Sequence, residues 1–184
     1  MNRRHALLAT AALPWARAQA HNDAGRVRPT QAAPALPLTL HTGKPATLPA
    51  LLAGRVTALQ LMFTGCSATC PIQGALFAAV QPRLQGLAGS QLLSLSIDPL
   101  GDDAPALARW LKQHGAGAAW RGGLPRVADV DRLFDYLRAR GRAADRHTAQ
   151  VYFFNRQGEL ALRSTDFPSA EQVLSWLTWL GRQS

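Results

Sequence analysis

The chain has 184 residues, 47% of them hydrophobic and 17% charged, with 20 Lys+Arg against 11 Asp+Glu and a formal net charge of +9. That length suits one domain with a real core and is short for two. The arginines are scattered among acidic residues, and no basic stripe interleaved with aromatics occurs, which excludes the usual footprint of a nucleic-acid binder.

The first twenty residues, MNRRHALLATAALPWARAQA, combine Arg3 and Arg4, an apolar run from Ala6 to Leu13 and an Ala18-Gln19-Ala20 ending. This is the pattern of a secretory signal peptide over residues 1–20. The apolar run is far shorter than the roughly 20 residues that span a bilayer, so no transmembrane anchor is expected. The Arg-Arg pair leaves twin-arginine export open beside the ordinary secretory route. Cleavage after Ala20 removes Arg3, Arg4 and Arg17, which lowers the charge from +9 to +6, and leaves an exported, soluble protein.

Residues 21–37 are rich in Ala, Pro and Arg without an apolar period and read as a flexible leader, with the folded domain over 38–184. "LTLHTGKPATL" reads as two short strands about the His41-Thr42-Gly43-Lys44 turn. Val56 to Phe63 is an apolar run of strand length, as a buried central strand requires. It leads directly into Cys66 and Cys70, the only cysteines. After Pro71, the positions Ile72, Leu76 and Val80, with Phe77 alongside, predict the inward face of a helix that Pro82 ends. "LLSLSI", Leu92 to Ile97, predicts a second buried strand. Asp102 or Asp103 can cap the next helix, with Pro105 in its first turn, Leu107 and Leu111 inward, and a stop at His114-Gly115. A third helix is expected near Val127 to Arg140, then a hairpin about Asn155 to Gly158, then a last helix from Ala170 to Leu180. The order is that of an α/β sandwich, thioredoxin-like in outline, with a central β-sheet flanked by helices and an N-terminal β-hairpin.

The two thiols admit three readings. A structural staple is weak, because closing a five-residue loop yields only about 2 kcal/mol against about 4.7 for a 100-residue loop. On the first turn of a helix, however, residues i and i+4 share a face roughly 6 Å apart, which suits a redox disulfide or shared metal coordination. The helix N-terminus favours the thiolate of Cys66, the form that both chemistries need. Two soft sulfurs select Cu(I) and leave a trigonal site one ligand short. His21, His41, His114 and His147 are the candidates in the mature chain, His147 standing in a short loop before a strand of the hairpin. A mature N-terminus at His21 would offer its own amine and imidazole to Cu(II), and with Met1 and Met62 as the only methionines a thioether copper site is not expected.

Taken together, "FTGCSATCP", "LLSLSIDP" followed by Asp102-Asp103-Ala104-Pro105, and "DRHTAQVYFFNRQGEL" resemble the SCO/SenC family of thioredoxin-fold copper proteins, over about Leu38 to Trp179. The resemblance implies a periplasmic metallochaperone that binds copper, as Cu(I) and also Cu(II), through Cys66, Cys70 and His147. It implies delivery to the dinuclear copper centre of cytochrome c oxidase subunit II or another copper-receiving protein, with other periplasmic copper chaperones as further partners. It also implies an alternative, a thiol-disulfide oxidoreductase in which Cys66 attacks and Cys70 resolves, keeping the cysteines of a copper site reduced. Asp98 matches the aspartate of the family's S-x-D-P segment, with capping of the strand-to-helix turn as its plain structural role. The chain departs from the family pattern in its uncharged Ser67-Ala68-Thr69 between the cysteines and in Arg146 beside the histidine. A peroxidase-like thiol enzyme on the same fold is a third reading of the strand-to-helix cysteine.

Overall fold

The computed structural model describes residues 24–141 and 147–183. The signal peptide expected over 1–20, His21 and Arg146 lie outside the described residues. Eight strands form one sheet: β1 (Gly25–Ala32), β2 (Pro37–Leu40), β3 (Pro45–Thr47), β4 (Val56–Met62), β5 (Ser90–Ser96), β6 (Trp120–Pro125), β7 (Val151–Phe154) and β8 (Glu159–Arg163). Five α-helices join them: α1 (Leu48–Leu52), α2 (Thr69–Val80), α3 (Ala104–Gln113), α4 (Val130–Leu137) and α5 (Ala170–Arg182). The strand order is β1-β8-β7-β4-β5-β6-β2-β3. β4, β5 and β6 run parallel, and the remaining neighbours pair antiparallel. This confirms the mixed α/β sandwich.

All seven residues of β4 are buried, because both faces of the sheet are covered. Val56, Ala58 and Met62 point into a core shared with α2, α3 and α5, whereas Leu59 and Leu61 point into a second core with Leu133, Phe134 and Leu137 of α4. The period-2 geometry of a strand divides one run of sequence between two cores. Each Leu or Phe buried there contributes roughly 1.5–3 kcal/mol. Among the described residues no helix is long and apolar enough to cross a membrane.

Four expectations require correction. Residues 25–32, expected within a flexible leader, form β1 on the sheet edge, held by pairing with β8. Edge pairing demands backbone hydrogen bonds more than side-chain burial, so its polar sequence carried no strand signal. β6 was not foreseen, since Gly122, Gly123 and Pro125 give its sequence no strand signal. In the structure a Cβ on Gly122 would lie 2.9 Å from the side chains of Leu107 and Leu111, so the glycine is what lets α3 settle on the strand. Of the inward face expected for α2, Phe77 and Val80 are buried and Leu76 packs partly against the core, but Ile72 is exposed, and the buried positions are completed by Cys70, Gln73 and Gly74. Finally, the third helix ends at Arg138, in the left-handed region at φ 53, before it can reach Arg140. The chain turns out there because Arg140 pairs with His147 in an isolated antiparallel bridge.

Candidate metal centre

Both cysteines stand where β4 hands the chain to α2, at the C-terminal edge of the parallel strands, the position from which α/β sheets present functional groups. The hand-over is held by a buried carboxylate. Asp102, 7% exposed, accepts the Thr64 N–H on both carboxylate oxygens at 3.1 Å, the Thr64 hydroxyl on Oδ1 and the Ser96 hydroxyl on Oδ2 at 2.6 Å. Thr64 lies two residues before Cys66, whose own N–H closes a turn onto the Phe63 carbonyl at 3.2 Å. The end of β5 is thereby tied to the cysteine loop. Asp103 performs the capping foreseen for one of the pair, its Oδ1 accepting the Ala106 N–H at 2.6 Å. Asp98 serves the turn: its carbonyl accepts the N–H groups of Gly101 and Asp102 at 3.0 and 2.8 Å. Asp102, Thr64 and Ser96 are thus the site residues that sequence reasoning missed; the Asp102-Asp103 pair was visible, but only as capping material.

α2 opens without a side-chain oxygen cap. A sulfur takes that place: Cys66 Sγ accepts the Cys70 N–H at 3.3 Å. Burial by itself raises the Cys66 pKa. The Cys70 thiol and the backbone N–H groups of Cys70, Ala68 and Thr69 outweigh that burial, and the net shift is downward. No charged residue occurs between Arg55 and Arg83, so the stabilisation of the Cys66 thiolate comes from oriented backbone and a neighbouring thiol, not from a side-chain cation. Cys70 behaves oppositely. It is fully buried, and desolvation, with the hydrogen bond to Cys66 and the charge of Asp102 adding to it, pushes its thiol up to about 12. Both are free thiols, Cys66 half-buried at the surface and Cys70 behind it.

His147 is 6% exposed, in the segment before β7. Its Nδ1 lies 2.7 Å from the Thr148 carbonyl, and since a carbonyl only accepts, that nitrogen carries the proton and Nε2 is the one suited to a metal. Val151 of β7 pairs with Gln60 of β4, which puts His147 and Cys66 at the same end of the sheet. The amide of Gln73 on α2 reaches the Gln150 carbonyl at 3.5 Å and links the helix to the same stretch. Among the described residues no three His, Cys, Asp or Glu side chains stand together at metal-holding distance. The structure therefore brings Cys66 and Cys70 together and sets His147 at their end of the sheet, without closing a three-residue set.

Among the described residues, the other two histidines have structural partners. His114 stacks on Trp110 with ring centroids 4.2 Å apart and donates from Nδ1 to the Trp110 carbonyl at 2.9 Å. Its Nε2 edge faces Gly74, where a Cβ would stand 2.2 Å away. His41 Nδ1 accepts the Gly122 N–H at 3.2 Å.

The SCO1/SenC family model matches residues 28–180 of the chain. No curated protein sequence matches. Among solved structures, a SCO1/SenC family lipoprotein from Bacillus anthracis superposes with a TM-score of 0.71 at 20% identity, covering 84% of this chain and 98% of its own. Arabidopsis thaliana ScoI with copper bound superposes at 0.68 and 16% identity, covering 88% and 99%. BsSco, described as a member of the Sco family of cytochrome c oxidase assembly proteins with a disulfide switch, superposes at 0.70 and 16% identity, covering 83% and 94%. At these identities the structural likeness establishes a shared fold.

Proposed function

The chain belongs to the SCO1/SenC family, and from that premise we propose that it is an exported, periplasmic copper chaperone that serves assembly of the dinuclear copper centre of cytochrome c oxidase subunit II. Cys66 and Cys70 hold the ion, and His147 completes the set through Nε2. The observation that carries the reading is the thiol pair itself. Cys70 stands in the first turn of α2, and Cys66, in the loop just before the helix and not on its first turn as the spacing suggested, accepts the Cys70 N–H on its Sγ and is favoured as thiolate by backbone N–H groups. A soft donor set of two thiolates and an imidazole suits Cu(I), the cargo, more than a hard ion. His147 is held at its other nitrogen by the Thr148 carbonyl, as metal-ligating histidines usually are. The test is an anaerobic Cu(I) titration of the reduced mature protein and of Cys66→Ser, Cys70→Ser and His147→Ala. One tight equivalent for the wild type and loss of tight binding in each variant is expected. Unchanged one-to-one binding in all three would refute the ligand assignment.

The difference between the two thiols favours a second reading, thiol-disulfide exchange. The accessible Cys66 thiolate attacks one sulfur of a partner's disulfide and releases the other as a thiol; Cys70 then attacks Cys66 Sγ, freeing the second partner thiol. The chain ends oxidised by two electrons and the partner reduced by two. His147 separates the readings, because its removal abolishes copper retention and leaves dithiol exchange intact.

A further inference from the structure

α2 reverses the usual pattern of a surface helix. Its one amide side chain, Gln73, is buried with Cys70, Gly74, Phe77 and Val80, while the residues it turns to solvent are Pro71, Ile72, Ala75 and Ala79. A helix apolar on every side is normally buried on every side, yet Ile72 is 56% exposed. Two other exposed apolar side chains belong to segments at the same end of the sheet. Leu100, 84% exposed, lies two residues before Asp102, the carboxylate that clamps Thr64 in the cysteine loop. Phe167, 52% exposed, donates its N–H to the Ala149 carbonyl at 3.1 Å, next to the Gln150 carbonyl that Gln73 of α2 reaches. Phe167 also sits at φ 49, the left-handed region that strains a residue with a Cβ. A core phenylalanine offsets such strain by burial; this one leaves half its surface in water.

We propose that the outer face of α2, with Leu100 and Phe167 at its margins, is the docking surface for the protein that receives copper from Cys66 and Cys70. The inference rests on the copper-chaperone reading. Both cysteines stand at the N-terminus of this same helix, and Cys70 is fully buried behind it, so an acceptor whose ligands come within bonding distance of an ion there must cover this face. Charge defines the partner further. The stretch from Val56 to Pro82 carries no charged residue, whereas the chain left by cleavage after Ala20 carries +6. The complementary surface is a folded domain with an uncharged, apolar centre and an acidic rim.

The test loads the reduced protein with Cu(I), mixes it anaerobically with the copper-free soluble domain of cytochrome c oxidase subunit II from the same organism, and follows copper on that domain after rapid separation. The variants are Ile72→Ser, Leu100→Ser, Phe167→Ser and Phe167→Gly, with Val127→Ser as control. Val127 is as exposed as Ile72 but follows β6, two strands away from β4. Each docking-face variant is expected to keep its Cu(I) affinity within about threefold and to slow transfer roughly tenfold, while Val127→Ser transfers at the wild-type rate. Phe167→Gly separates docking from folding, since glycine relieves the backbone strain: its thermal midpoint is expected to hold or rise while transfer slows. Docking-face variants that transfer at the wild-type rate overturn the inference. So does a wild type that binds Cu(I) but neither associates with nor metallates the domain, which leaves copper binding standing and removes the assigned occupant. A concentration-dependent wild-type dimer abolished by Ile72→Ser, with transfer unchanged, shows a second copy on this face and overturns it as well. A wild type that binds no Cu(I) fails the copper reading itself.

Discussion

Replacing Asp102 with alanine tests the architecture of the site directly. The carboxylate is buried and receives three donors, the Thr64 N–H, the Thr64 hydroxyl and the Ser96 hydroxyl. A hydrogen bond to a charged group is worth about 1.5–3 kcal/mol. The hydroxyls can rotate toward other partners, and the Ser96 oxygen keeps the Asp98 N–H at 3.1 Å. The Thr64 N–H has no such freedom. Allowing for that partial rescue and for non-additivity within one network, the loss comes to roughly 3–5 kcal/mol, or about 6–20 °C of thermal midpoint for a domain of this size. Asp102→Asn retains one acceptor oxygen for Thr64 and presents an N–H to Ser96, so roughly 1–2 kcal/mol is expected. The assay is urea unfolding of the reduced, copper-free protein, with the Thr64→Val and Asp102→Asn double mutant closing a cycle. A loss below about 1 kcal/mol for Asp102→Ala, or strict additivity in the cycle, would refute the clamp.

Other outcomes follow from particular contacts. At pH 7 a thiol with a pKa of about 12 is ionised to roughly one part in 10⁵, against about 3% for an ordinary thiol, so iodoacetamide is expected to label Cys66 at least about 1,000-fold faster than Cys70, read by peptide mass spectrometry. The same raised pKa makes stability fall in alkali. Between about pH 8.5 and 12 the folded Cys70 keeps a proton that the unfolded chain has lost, so its contribution is complete below that range and lost through it. The urea midpoint of the wild type is expected to drop more steeply there than that of Cys70→Ala. Gly74→Ala drives a methyl into the His114 ring, 2.2 Å from Nε2, and is expected to cost about 1–3 kcal/mol; in the H114A background the same change is neutral or stabilising, as an alanine in a helix should be. Ser169→Ala dismantles the capping box that Ser169 and Gln172 form at the start of α5, and a loss of about 1 kcal/mol in thermal unfolding is expected.

Where apolar spacing and punctuation were strong, local sequence was enough. The seven buried residues of β4, the Asn155 to Gly158 hairpin and the Ser169-capped α5 are legible because each is specified by its own residues. The cysteine spacing, the position just after a central strand and the soft chemistry of two thiols are equally sequence properties. β6 and β1 were not legible. A glycine-rich strand is a strand only because α3 lies against Gly122, and a polar edge strand only because β8 offers it partners. The face of α2 was misread for the same reason. Ile72 is the more apolar residue, but what lies beneath the helix selects Gln73 and Gly74: the Gln150 carbonyl takes the amide, and the His114 ring fills the space that a side chain at residue 74 would need.

The sequence by itself therefore determined which chemistry this protein has available: two thiols at helical spacing, a histidine near a central strand, and a family. Only the tertiary structure decided how those groups differ and what surrounds them. Packing separates two chemically identical cysteines: the N–H groups of a helix start and the Cys70 thiol converge on Cys66 and lower its pKa against its own burial, while the core closes over Cys70 and raises its pKa to about 12. It is also tertiary packing that brings Asp102 of the β5–α3 connection to Thr64 and leaves the apolar face of α2 in water, since both depend on segments far apart in the chain meeting at one end of the sheet.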